Sequence, residues 1–514
     1  MAQPIQNITI NAPAFFGINT QDSPVGLDPS YASIADNCVI DKSGRIGARK
    51  GNELVTTNGN AVLGSSRGIE HIFQYTDRSG DLRTLSAGNT AIYSGIETLV
   101  DITPAAYTPT ANNWKSTSFN NHTYLVQRDH VPLIGSDEAG SFVLETHTAH
   151  AHSTGTMPQA NEILAAYGRL WAADIVNNKY TVYWSDLLDG SSWTGGSSGS
   201  IDLTSVWPTG FDEVTALAAH NGFLIIFGKR SILVYQGAED PATMSLADTV
   251  AGVGCVARDS VQATGTDLIF LSEQGVRSFA RTIQEKSMPM RDISKNVRSD
   301  IVTLITQQND PIKSAYSAKD AFYLLTFPNS STVYCFDMRS PLQDGSHRVT
   351  TWTAMNPLCF FTAADTTLYI GKVDGIATYS SFTDEGVSYQ MRYFSNPLDF
   401  ALQNPQLSSR TKMLKKFNLT IIGGQNTDAT LSWGYDYITS YTKQSFTFAD
   451  SQVAEFGVSE YGIGEYTAAV VVNKPSVNGT GSGAVVTIGV EVQIAGASCA
   501  IQKIDIHALI GRTI

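Results

Sequence analysis

The stretch AGVGCVARDSVQATGTDLIFLSEQGVRSFARTIQEKSMPMRDISKNVRSDIVTLI, residues 251–305, decides how the rest of the chain is read. Leu268, Ile269, Phe270 and Leu271 form an apolar run. Glu273-Gln274-Gly275 turns the chain, and Val276 to Phe279 returns it with alternating side chains, a hairpin in miniature. In the second half Ile293, Val297, Ile301, Leu304 and Ile305 recur at helical spacing, with Asp292 placed to cap the first turn. This spacing predicts one packing helix over 292–305 in a chain otherwise rich in strands.

The hairpin half has relatives on both sides. A polar turn leads into a short apolar strand at Gly80-Asp81, Asn120-Asn121, Tyr167-Gly168 and Asn221-Gly222, then at Thr266-Asp267, Lys319-Asp320 and Asp365-Thr366. The copies recur at intervals of about 41 to 54 residues, the period of four-stranded propeller blades. Closing such copies into a ring removes exposed sheet edges. The reading is all-β: a β-propeller of about seven blades over 65–385, with the helix as an insertion between blades.

Outward from the repeats lie two other segments. Residues 1–64 read as an N-terminal arm, with a helical turn started by Asp28-Pro29. A hairpin follows from Cys38 through the turn Asp41-Lys42-Ser43-Gly44. Its basic residues Arg45, Arg49 and Lys50 read as a solvated strand edge rather than a contact for an acidic partner. Residues 386–514 alternate more cleanly. Leu431, Trp433, Tyr435 and Tyr437 share one face; Val486, Ile488, Val490, Val492 and Ile494 share another; Met413, Phe417, Leu419 and Ile421 share a third. One-face-buried antiparallel strands of this kind predict a C-terminal β-sandwich-like domain. Between them, residues 452–482 hold the near-repeat EFGVSEYGIGEY. Its glycines suit an adaptable loop, and Glu455, Phe456, Glu460, Tyr461, Glu465 and Tyr466 suit a surface that meets something.

Composition narrows function. The chain has 514 residues, 43 of them Gly and only 16% charged, with a formal net charge of −13. That sign argues against a protein built to grip nucleic acid, because such binding rests on neutralising phosphates. The five cysteines are scattered without C-x-x-C spacing and read as small buried apolar groups in a reducing compartment. The start MAQPIQNITI lacks a secretory pattern, and the apolar runs are too short to span a bilayer. No P-loop, G-x-S-x-G elbow or H-E-x-x-H pattern occurs, so no enzyme activity, cofactor or metal is expected. His147, His150 and His152, in HTAHAH, have no obvious acidic partner and read as an inter-blade linker rather than a zinc site. WSDLLDGSSW, from Trp184 to Trp193, resembles the Asp box of sialidase-type propellers, but its Asp-Gly spacing departs from that pattern.

GVGCVARDSV, DLIFLSEQGVRSF and RDISKNVRSDI together resemble the core of the tail nozzle proteins of short-tailed bacteriophages. These are also called tubular tail protein B or packaged-DNA stabilisation protein. The opening FFGINTQDSPVGLDPSYASIADNCVIDKSGRIGARKGNE is similar to the arm of such tail and head-completion chains, and FNLTIIGG and IQKIDIHALIG to the family's end. The resemblance implies a structural virion protein made in the bacterial host cytoplasm, forming a homohexamer ring at the distal end of the tail tube. It further implies docking on the tail adaptor ring, with tail fibres or spikes as further partners. Packaged double-stranded DNA would be retained and would pass without sequence-specific binding. In that setting the loop carrying Glu455 to Tyr466 is the candidate gate. The alternative is a virion-associated propeller that binds or hydrolyses host surface glycan.

Overall fold

In the computed structural model of the chain the repeated turn-and-strand unit becomes a ring of antiparallel sheets. The structure describes residues 5–63, 68–110, 113–138, 140–284, 292–408, 410–424, 427–448 and 472–513. Four blades are each made of consecutive strands. The first holds Ile69–Thr76, Leu82–Gly88, Ile92–Ser94 and Val100–Asp101, and the second Lys115–Phe119, His122–Val126, Leu133–Ser136 and Val143–Thr146. The third holds Glu162–Ala166, Arg169–Ala173, Thr181–Trp184 and Gly199–Asp202, and the fourth Val214–His220, Phe223–Gly228, Ser231–Gln236 and Ser245–Ala251.

Leu224 and Ile226 pack with Trp171 and Trp184 of the third blade, while Ile225 and Phe227 pack with Leu268 and Phe270 of the next sheet. A strand buried on both faces has to be apolar at every position, and so the blade strands show runs rather than clean alternation.

The blade count differs from the expected seven: six four-stranded blades form. The fifth is Lys313–Ser317, Phe322–Phe327, Thr332–Asp337 and Arg348–Trp352. The sixth is Cys359–Thr362, Leu368–Gly371 and Ile376–Tyr379, completed by Asn52–Leu54 from the far end of the sequence. Between the fourth and fifth, Gln262–Ala263, Leu268–Ser272 and Gly275–Ser278 make a sheet of only three strands. There the chain turns into the helix Phe279–Gln284, because Asp267 Oδ1 accepts the Ala280 N–H and its other oxygen accepts the Ser278 hydroxyl. Among the described residues no fourth strand joins this sheet.

Of the expected arm 1–64, the described residues 5–63 do not stand apart. Ile5–Asn11 pairs along Cys499–Thr513 from Ile5↔Leu509 to Asn11↔Lys503, and Cys38–Ile40 and Ile46–Ala48 form the expected hairpin in the same sheet. Asp28 caps a turn through Ser30 N–H, at 2.8 Å, but no helix follows. Residues Tyr31–Asp36 form a strand against Tyr389–Ser395, because this pairing buries Ala32 and Ala35 completely. Parallel pairing of Asp36 with Thr351 joins that sheet to the fifth blade. The strands from Tyr389 onward therefore form a two-layer sandwich sharing one core with the propeller, and Phe417 of one layer meets Trp433 of the other at 5.3 Å.

Met413, Tyr437 and Arg49 lie differently from what the sequence pattern predicts. Met413 is exposed and its neighbour Leu414 buried, because a register shift between Leu414 and Lys416 flips the alternation of Arg410–Gly423. Tyr437 is exposed as well. Arg49 is no edge residue. Its side chain is wholly buried, donates to Asp384 at 2.8 and 2.6 Å and to Asn37 at 2.9 Å, and lies 4.1 Å from the centre of the Tyr389 ring. It rivets the hairpin to the strand that follows the sixth blade. Because lysine supplies neither fork nor plane, Arg49→Lys is expected to cost about 1.5–3 kcal/mol. A urea midpoint unchanged in that variant would show the rivet to be idle.

The expected helix 292–305 is a 3-10 turn, Lys295–Val297, running into the α-helix Arg298–Gln307. Asp292 does not cap it. Instead it is buried 2.8 Å from Arg277, and Arg298 lies 3.6 Å from its other oxygen. Ile293, Val297 and Ile301 are buried in one core with Leu271, Val276 and Tyr334, and Leu304 and Ile305 are half-buried beside them. The stripe thus lies on the propeller.

Candidate functional site: a charged lattice on the propeller axis

The segment 254–260 carries the chain to the axis. Gly254 passes so close to the backbone of the Gly228-Lys229-Arg230 turn that a Cβ there would sit 2.3 Å from Gly228 O. That approach lets Cys255 N–H donate to Gly228 O at 2.8 Å. Burial pushes the Cys255 thiol up to about 11, so it acts as a small apolar group. All five cysteines are buried and free. Next, Ser260 knits a 3-10 turn: its hydroxyl donates to Ala257 O at 2.6 Å and accepts Leu271 N–H at 3.0 Å. Its carbonyl accepts the Tyr323 hydroxyl at 2.8 Å. This turn puts Arg258 and Asp259 in the middle of the ring.

Arg258 spends all its donors. Nε and Nη2 grip Asp259 at 2.8 and 2.7 Å, Nη2 also donates to Trp114 O at 2.7 Å, and Nη1 donates to Asn113 O at 2.9 Å. Nη1 reaches Asn161 as well, through both its carbonyl and its side chain. The guanidinium so ties the entries of the second and third blades to the turn. Asp259 in turn receives Lys313 Nζ at 2.6 Å and has Lys115 Nζ at 3.7 Å. Burial would raise its carboxyl, but Arg258, Lys313 and Lys115 outweigh that and hold it well below the usual carboxylate range.

Around this centre burial wins. Glu162 is 1% exposed and 3.8 Å from Lys115, and desolvation still pushes its carboxyl up to about 7. Glu70 is likewise pushed up to about 7 by burial, against the pull of Lys313. Each keeps one buried oxygen without a partner, Oε2, where a proton can sit. Burial, with Lys313 next, lowers His71 to about 3, so this imidazole is neutral and shares a 2.7 Å hydrogen bond with Ser116. Two cavities of about 390 and 540 Å3 share Asp259 as a wall. The smaller is lined by Arg128, Asp174, Lys179 and Glu213 of the connecting turns, the larger by His71, Lys115 and Lys313 of the first strands.

The raised Glu162 gives a pH signature. A carboxyl lifted by folding contributes stability that is fully present below its unfolded value, 4.5, and lost as the pH rises through about 7. Relative to Glu162→Gln, the parent is expected to lose stability between about pH 5 and about pH 8. Urea titrations of the two proteins at both values check this, and a constant difference would contradict it.

Of the residues singled out in the sequence, the helix residues Ile293, Val297 and Ile301 are core, and Glu455, Phe456, Glu460, Tyr461, Glu465 and Tyr466 lie outside the described residues. Asp186 of the Asp-box-like stretch is a turn staple, its Oδ1 accepting from the N–H groups of Leu187 and Ser197. The axial ions escaped sequence reading although a signal existed. Lys115, Glu162 and Lys313 each open the first strand of a blade, and comparing first strands rather than second ones aligns them.

The site therefore defines a class: a propeller whose axis is spanned by its own ion lattice. No known protein family's profile matches the chain, and no curated protein matches it. Among solved structures it is similar to the extracellular domain of BT4673 from B. thetaiotaomicron, described as a one-component system, at 10% identity and a TM-score of 0.41. That match covers 71% of this chain and 43% of that one. A second structure of the BT4673 extracellular domain, described as part of a hybrid two-component system, matches at 9% identity and a TM-score of 0.42, with the same coverage. The chain thus spans less than half the length of either. Among the described residues no helix is long and apolar enough to cross a membrane.

Proposed function

We propose that the chain is a structural virion protein, a subunit of the distal nozzle ring of a short phage tail tube. In this reading six copies dock below the adaptor, hold packaged DNA back and enclose its exit channel. The observation that carries it is the occupied axis. Arg258 and Asp259 cross the place where the blades converge, leave a cavity on either side and tie the blades to one another, which suits a rigid wall element. A DNA conduit then runs between copies, not through one. One of the stretches that carry the resemblance to nozzle proteins, GVGCVARDSV, contains Arg258 and Asp259 of this hub.

Two further features support the reading. Among the described residues the strand Thr442–Thr447 is an edge of the ten-stranded sheet and is exposed along most of its length, a row of backbone groups that another copy can pair with. Each copy carries a formal charge of −13, and a ring of that sign repels phosphates, which favours sliding over binding. Immunogold labelling of virions with an antibody to this chain is expected to mark the distal tip of the tail. Particles assembled without the chain are expected to package DNA and then lose it. Label on fibres or capsid, or DNA-filled particles that stay full without the chain, would overturn the reading.

A further inference from the structure

The second blade ends in a cluster that the axial lattice does not use. Three of its connections converge there. His122 opens the strand His122–Val126 after the Asn120-Asn121 turn, Glu138 follows Leu133–Ser136, and His150 and His152 follow Val143–Thr146. His150 is only 7% exposed. Its Nδ1 lies 2.8 Å from Glu145 Oε1, and His122 Nδ1 lies 2.9 Å from the Asn120 carbonyl. Carbonyl and carboxylate oxygens accept, so each Nδ1 carries the proton and each Nε2 presents a bare lone pair. Both of these Nε2 atoms are buried and have no hydrogen-bond partner. One ligand atom each from His122, Glu138 and His150 lies within 4.8 Å of the others.

We propose that this cluster is a binding site for a zinc-class divalent metal ion, with His122, His150 and Glu138 as ligands and His152 as the fourth. Glu138 Oε1 lies 3.4 Å from His122 Nε2 and also accepts from Arg78 Nη2 at 2.5 Å, while Oε2 lies 3.8 Å from His152 Nε2, so the carboxylate stands between the two imidazoles. Ligand atoms about 2.0–2.2 Å from zinc stand roughly 3.3 Å apart in a tetrahedron. His122 Nε2 and Glu138 Oε1, 3.4 Å apart, already have that spacing, and the remaining closure falls to Glu138 and to His152, which is 75% exposed. Two or three imidazoles with one carboxylate select zinc and its neighbours over magnesium and calcium. Glu145 and the Asn120 carbonyl play the orienting part that fixes a ligating histidine's tautomer. HTAHAH looked partnerless in the sequence because His122 and Glu138 arrive from other strands, while Glu145, two residues upstream of His147, orients His150. His147 itself turns away to hydrogen-bond Ser191 O at 2.8 Å.

The test uses the full chain, stripped with a chelator, equilibrated with zinc chloride and freed of excess metal. Elemental analysis is expected to find one zinc per chain, and the thermal midpoint to rise with zinc. His122→Ala and His150→Ala are expected to abolish binding. His152→Ala and Glu138→Gln, changes at more accessible side chains that leave the buried imidazoles in place, are expected to weaken it about 10- to 100-fold. His130→Ala, whose Nε2 is engaged by Thr110, is expected to bind as the parent does. A parent chain that takes up no zinc at micromolar free metal overturns the proposal, and so does zinc uptake that survives both His122→Ala and His150→Ala.

Discussion

Asp259→Ala is expected to unfold the propeller from its axis, with a loss of about 3–5 kcal/mol, the cost of leaving a buried ionic partner uncompensated. Arg258 would lose two of its hydrogen bonds and Lys313 its 2.6 Å contact, and both cations are themselves largely buried. Since domain stabilities run to about 5–15 kcal/mol, a loss of that size takes much of what holds the ring together. Asp259→Asn keeps shape and hydrogen-bonding capacity but removes the charge, so it separates the ionic contribution from the steric one. The measurement is urea unfolding followed by tryptophan fluorescence, which is apt because Trp114 accepts from Arg258 through its carbonyl. Equal midpoints for the parent and Asp259→Ala would mean that the lattice is ornamental. Arg258→Leu is the informative companion: it leaves Lys313 and Lys115 to hold Asp259, and is expected to be nearly as damaging because the Asn113, Trp114 and Asn161 carbonyls lose their donor.

Ile301→Asp carries an effect of similar size by another route. Ile301 is completely buried in the core shared by helix, propeller and sandwich. Deleting its aliphatic bulk costs about 2–5 kcal/mol, and a carboxylate without a cation in that core adds several more. The chain is expected to accumulate as insoluble protein. Ile301→Val, which removes one methylene, is expected to cost only about 0.5–1.5 kcal/mol and to stay soluble. Parent-like melting of Ile301→Asp would show that Arg298–Gln307 does not rest on the propeller.

Much of the fold was legible because it rests on local pattern. The hairpins around Asn221-Gly222 and Asp41 to Gly44, the alternation from Val486 to Ile494 and the stripe Ile293, Val297, Ile301 all follow from short-range periodicity. What was illegible depends on partners distant in sequence. Tyr31–Asp36 has a helix-start pair before it but becomes a strand because Tyr389–Ser395 is there to pair. Asp292 reads as a cap and instead meets Arg277. A single inserted residue near Lys415 reverses which of Met413 and Leu414 faces inward, and no period predicts a bulge. The blade count fell to six because one carboxylate, Asp267, ends the fifth sheet in sequence after three strands. The axial site was hidden for the same reason: its ions come from five segments, each holding one or two charges in an otherwise apolar or polar-neutral run.

The central claim, that this chain builds a ring rather than working alone, is tested most directly by mass photometry of the purified protein with and without the tail adaptor ring. The account predicts a species of six times the 55.4 kDa chain, either free or seated on the adaptor. A chain that remains at 55.4 kDa in both conditions would contradict it.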